Sequence, residues 1–177
     1  MQKFLRRWQL VGFVFTSVAG TILHFLYDWS GKNGLIAAVS AVNESTWEHM
    51  KLLFVPMFLF ALVEYLFLGD KYQNFWFSKA AGMLLGLTLI PVIFYTWKGV
   101  LGPSPDWVNI SIYFVAAAAA FSLDTRLLMK GWGSGKLLQA ASLVMLLLLA
   151  LGFLLWTFAP PSLPLFRDPV TGGYGII

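Results

Sequence analysis

Cysteine is absent from the 177 residues, which excludes disulfides and thiolate chemistry and leaves any metal to histidine, carboxylate or carbonyl ligands. Charge is scarce as well. Only 11% of the residues are Asp, Glu, Lys or Arg, too few to coat a soluble globule of this length. No Pro/Gly/Ser-rich linker or charge block interrupts the chain, so residues 1–177 read as one domain. The formal net charge of +4 does not point to nucleic acid, because the basic residues are scattered near the ends of apolar runs rather than gathered on one polar face.

What remains is apolar: hydrophobic residues make up 59% of the chain. Stretches long enough to cross about 30 Å of hydrocarbon fall at 8–27, 47–68, 80–95, 107–123 and 137–158. The expected fold is therefore an all-α, polytopic transmembrane helical bundle of about five spans. Lys3, Arg6 and Arg7 before the first run resemble the start of a secretory signal, but the run continues through Ile22 and Leu23, so a retained helix is expected.

An odd number of crossings puts the termini on opposite sides. With the amino terminus inside, Lys3, Arg6, Arg7, Lys71, Lys79, Arg126, Lys130 and Lys136 are internal and only Lys32, Lys51, Lys98 and Arg167 external. The positive-inside rule then favours N-in and C-out. Trp8, Trp29, Trp47, Trp76, Trp97, Trp107 and Trp156 stand near span ends, where an indole anchors a helix at the interface.

Between the first two spans, 35–42 is apolar but too short to cross, which predicts a re-entrant or interfacial segment. Ser45 followed by Glu48 has the spacing of a capping box at the start of the second span. Gly82 and Gly86 form a small-xxx-small pair for close helix packing, while Pro56 and Pro91 inside spans are expected to kink them. The tail at 159–177, rich in Pro and Gly, is expected to be non-helical, to lie outside, and to close over the outer end as a lid.

Chemistry concentrates at that outer end. His24 and Asp28 are four apart on the first span and share a helix face, as do Glu44 and Glu48 if the second helix begins early enough, and His49 and Lys51 follow. Histidine and carboxylate together suit a divalent metal such as zinc, with His24, Asp28, Glu44, Glu48 and His49 as candidate ligands. Without a metal, they suit acid/base work in which a carboxylate orients an imidazole. Glu48, His49 and Lys51 are the candidate catalytic groups, and Lys51 or Lys98 could meet an anionic head group. The plainer reading is that Glu48 caps, Lys51 snorkels and His24 hydrogen-bonds within the bundle.

Glu64 is separate, about 24 Å along the helix from Glu48 at 1.5 Å per residue. An ion pair with Arg126 or Lys71 is expected there, with an inner station of a proton or ion path as the alternative.

The segments His24-Phe25-Leu26-Tyr27-Asp28-Trp29, Asn43-Glu44-Ser45-Thr46-Trp47-Glu48-His49-Met50-Lys51 and 165–175 resemble a family of small bacterial integral membrane proteins of unknown function. The resemblance spans essentially the whole chain. It implies a bacterial cytoplasmic membrane location and a compact helical fold, and carries no activity or ligand. Three functions fit these residues. One is a metal-assisted or acid/base hydrolase or transferase acting on a lipid or lipid-linked substrate. The others are a non-catalytic assembly or binding protein held by a polar network, and a small ion-coupled transporter or channel working as a homo-oligomer.

Overall fold

The computed structural model describes residues 2–176. Five helices are long and apolar enough to cross a membrane: α1 (Gln2–Trp29), α3 (Thr46–Leu68), α4 (Phe75–Leu101), α5 (Asp106–Lys130) and α6 (Lys136–Phe158), with the single-turn α2 (Gly34–Ala37) between the first two. At about 1.5 Å per residue the 28 residues of α1 exceed the hydrocarbon thickness, so each end reaches the head-group zone. The architecture is that of a multi-pass membrane protein.

Side-chain direction supports this. The face of α1 turned into the bundle carries Gln9, Gly12, Thr16, Ser17 and Gly20, whereas Leu10, Val11, Val14, Val18 and Ile22 point outward. On α6, Leu147, Leu148, Leu151 and Leu155 are likewise exposed. An apolar exterior around a partly polar interior would aggregate in water and suits lipid.

The chain runs back and forth, so the start of α1, the end of α3, the start of α4, the end of α5 and the start of α6 share one face, here the amino-terminal face. The other helix ends, α2 and the tail share the opposite, tail face. α4 packs along α5 and α6, and α1 along α3 and α5. Close approach of α4 to α5 depends on Gly82 and Gly86, as their spacing predicts: a Cβ on Gly82 would lie 2.8 Å from the Ala120 carbonyl oxygen. α3 and α4 continue through Pro56 and Pro91.

Polar side chains close the helix ends. Gln139 of α6 accepts from the backbone N–H of Trp76 (2.9 Å), satisfying a free donor at the start of α4. Asn74 donates to the carbonyls of Leu127 (2.7 Å) and Trp132 (3.0 Å) where α5 ends. The 35–42 segment does not cross. α2 and the turn after it rest on the end of α1, where Ser40 accepts from the Tyr27 N–H (3.0 Å) and donates to the Leu23 carbonyl.

Two expectations change at this level. Trp47 is not an interfacial anchor: it is buried against Phe153, Trp156 and Phe166, at ring-centroid distances of 4.4, 5.2 and 4.7 Å. The capping box is also incomplete. Ser45 does cap α3, accepting from the Glu48 N–H (3.4 Å), but its own N–H goes to Asn43 Oδ1 (2.9 Å), and Glu48 reaches the N–H of Val42 instead (3.2 Å).

Candidate metal centre at the tail face

The last turns of α1, the loop before α3 and the first turn of α3 bring His24, Glu44 and His49 together, each offering one ligand atom, all within 4.8 Å of one another. Glu44 lies between the imidazoles. Its Oε1 is 3.8 Å from His24 Nε2 and its Oε2 is 3.5 Å from His49 Nε2, and the two rings are 5.4 Å apart between centroids. Ligand bonds of about 2.0–2.2 Å in tetrahedral geometry put ligand atoms about 3.4 Å apart, so small side-chain rotations would close this triad around one ion.

His49 is oriented from behind. Its Nδ1 lies 2.9 Å from the Ser45 carbonyl, and because a carbonyl only accepts, Nδ1 carries the proton. Nε2 is then the atom that faces Glu44. If the ring is neutral, a lone pair meets a carboxylate oxygen, and a cation between them removes the repulsion; if the ring is protonated, the imidazolium supplies that charge itself. His24 lacks such support, since its Nδ1 is buried without a hydrogen-bond partner.

The tail steadies the loop that carries Glu44. Asn43 Nδ2 donates to the Gly175 carbonyl (2.8 Å), and the Glu44 backbone N–H is bonded by the Asp168 carboxylate. Asp168 also accepts from Thr171 Oγ1 (2.6 Å) and the Val170 N–H (3.1 Å). Burial opposes ionisation of this carboxyl, but these donors outweigh it and hold its pKa below the ordinary aspartate value. Phe166 is buried against Trp47, and Tyr95 donates to the Pro164 carbonyl (3.2 Å). The tail therefore buttresses the site from one side. It does not seal it, for the Glu44 side chain is 49% exposed.

Asp28, Glu48 and Lys51 lie outside the triad. Asp28, one turn beyond His24, is exposed. Glu48, adjacent to His49 and so turned about 100° away on the helix, points into the bundle. There Lys51 Nζ donates to Glu48 Oε2 (2.6 Å), to the Ala37 carbonyl (2.9 Å) and to Thr157 Oγ1 (2.7 Å). Lys51 is fully buried and cannot meet a head group. Lys98 lies over the Phe94 ring, and Asn109 accepts from Ser104 (2.7 Å), apart from the triad.

At the amino-terminal face the partner of Glu64 is Lys79, not Arg126 or Lys71. Lys79 Nζ donates to Glu64 Oε2 and, at 2.5 Å, to Asp124 Oδ2. Arg126 is exposed, two positions past Asp124 and hence on another face of α5, and Lys71 lies over the Phe4 ring at 5.1 Å. Lys79 and Asp124 were readable only as residues flanking apolar runs.

A family model of unknown function, DUF6512, matches residues 1–176. The chain belongs to this family. No curated protein and no solved structure matches it, so the family supplies no ligand or reaction, and the triad has to be read from its own chemistry.

Proposed function

We propose that this member of DUF6512 resides in the bacterial cytoplasmic membrane, N-in and C-out, and binds a divalent metal such as zinc through His24, Glu44 and His49 at the outer leaflet. There it carries out metal-assisted hydrolysis or group transfer on a lipid or lipid-linked substrate. The observation that carries the reading is the geometry of Glu44, each of whose oxygens faces a different imidazole Nε2 while the Ser45 carbonyl fixes the His49 tautomer. Three protein ligands leave a coordination position open, the mark of a catalytic rather than a structural zinc site.

The orientation draws on charge. With buried Lys51 and Lys79 set aside, Lys3, Arg6, Arg7, Lys71, Arg126, Lys130 and Lys136 stand at the amino-terminal face against Lys32, Lys98 and Arg167 at the other. The triad then sits at head-group depth, where ester and phosphoester bonds of lipids lie. A metal there would polarise a carbonyl or phosphoryl oxygen and acidify a water. Nearby hydroxyls are engaged elsewhere, Ser45 as the α3 cap and Thr46 on Tyr95, which favours water as the nucleophile.

The test begins with metal content. Detergent-purified wild type equilibrated with zinc should retain one ion per chain after desalting, His49→Ala and Glu44→Gln should lose it, and Glu48→Gln should keep it. Wild type that retains none overturns the metal site. For the chemistry, zinc-loaded protein in phospholipid vesicles should release head group or fatty acid faster than Glu44→Gln. Equal rates would remove the enzymatic half and leave a metal-binding protein.

A further inference from the structure

The amino-terminal face holds a second cluster with a different charge balance. Glu64 on α3, Lys79 on α4 and Asp124 on α5 are each 0–1% exposed, with Gln9 of α1 beside them at 4%. Lys79 bridges the two carboxyls, and Gln9 Nε2 donates to Glu64 Oε1 at 2.8 Å. All four side chains lie within their helices, short of the ends.

Two carboxylates and one ammonium leave a surplus negative charge. Glu48 and Lys51 at the other face make the comparison, because there one acid meets one base and both Glu48 oxygens accept hydrogen bonds. Among the described residues, no second base pairs with Glu64 or Asp124. Arg126 and Lys71 are exposed and turned elsewhere, and Lys136 on α6 is exposed. Tyr72, which feels the charge of Glu64, is uncharged in its ordinary form. Ser78 is buried nearby on α4 with its hydroxyl unpartnered. An isolated charge of this kind, away from water, is strongly disfavoured.

The hydrogen bonds show the same deficit. Among the described residues Gln9 Oε1 is buried with no partner, and Asp124 Oδ1 has none beyond the Gln9 amide beside it. Both oxygens are acceptors. A proton on one of the carboxyls adds a donor that either acceptor can take.

We propose that Glu64, Lys79 and Asp124 together form a buried single-proton site, neutral when it holds one proton more than the fully ionised set and bearing that proton between its two carboxyls at neutral pH. The count does not depend on where the proton sits. An acid beside a lysine–carboxylate pair, or two acids beside a neutral amine, contain the same number. Lys79 touching both carboxyls lets the proton pass from one acid to the other without separating charge across the bundle. Such a site can load and unload a proton in a chain that also binds a cation at its other face.

Infrared spectroscopy of the wild-type chain in lipid nanodiscs tests this. A carboxylic-acid C=O stretch should be present at pH 7, should shift in D2O, and should move on carboxyl-¹³C labelling of aspartate or of glutamate. Glu64→Gln and Asp124→Asn should each abolish it, because one remaining acid is balanced by Lys79, and both should unfold near the wild-type temperature. The double variant should melt well below either, having stranded the ammonium. Absence of the band at pH 7, or a band that neither label moves, overturns the proposal, and the labelling arm needs no variant to fold. Thermal stability that rises with sodium but not choline chloride, without an acid band, would overturn it in favour of a sodium ion supplying the charge.

Discussion

His49 Nδ1 lies 2.9 Å from the carbonyl oxygen of Ser45, one turn back at the mouth of α3, whereas the equivalent nitrogen of His24 is buried without a partner. The two imidazoles of the triad are thus unequal. A ring whose far N–H is already held presents Nε2 in the right tautomer, while His24 must leave a buried N–H unsatisfied in order to ligate. Zinc affinity measured by competition with a chelator should therefore fall at least about 100-fold in His49→Ala and about 10–100-fold in His24→Ala. Equal losses would mean that the Ser45 carbonyl contributes nothing. Acidification should weaken zinc binding in wild type, since protonated imidazoles cannot ligate.

Glu48 and Lys51, although next to His49 in sequence, belong to the stability of the tail face. Removing one partner of a buried pair leaves an uncompensated charge, so Lys51→Met should destabilise the fold by about 3–5 kcal/mol. The double variant Glu48→Gln/Lys51→Met should recover most of that loss. Thermal unfolding in detergent reads both, and a double variant no better than the single would show that the charges are not coupled.

How far the fold and the site are legible in the chain depends on where the helices end. The five apolar runs and the shared end of His24, Glu44 and His49 are visible in the chain, because hydrophobic length and alternation of direction determine them. The third and fourth spans, expected at 80–95 and 107–123, are in fact Phe75–Leu101 and Asp106–Lys130. Apolar runs that end beside a charged residue leave Lys79 and Asp124 just outside, yet both lie inside their helices. Their pairing joins positions 45 residues apart, and no local pattern reports it. Likewise, the division of labour between Glu44 and Glu48 depends on α3 beginning at Thr46. An earlier start would have put both on one face.

Asp168 ties the tail to the Glu44 loop, and its lowered pKa makes that tie pH-dependent. Because the folded value lies below the ordinary 3.8, the stabilisation is complete above that value and is lost as pH falls through the folded pKa. Asp168→Asn should remove it at neutral pH, costing about 1–3 kcal/mol for hydrogen bonds to a charged acceptor. Limited proteolysis should then cut within 159–177 faster than in wild type at pH 7. Unchanged cleavage would show that Phe166 and Tyr95 hold the tail without it.

Gly82 and Gly99 lie on the same helix with opposite surroundings, which isolates packing from propensity. A Cβ at Gly82 would meet the Ala120 carbonyl oxygen at 2.8 Å and Asp124 Cβ at 3.1 Å, whereas nothing lies within 4 Å of one at Gly99. Gly82→Ala should force α4 from α5 and destabilise by about 1–3 kcal/mol, while Gly99→Ala should stabilise by up to about 1 kcal/mol through helix propensity. The Gly82 variant should also perturb the inner cluster, because one of the atoms it crowds belongs to Asp124. A combined loss of thermal stability and a shift in the carboxylic-acid band would trace both effects to this single contact. If instead the two alanines behaved alike in unfolding experiments, close approach of α4 to α5 would not be what holds Lys79 against Asp124.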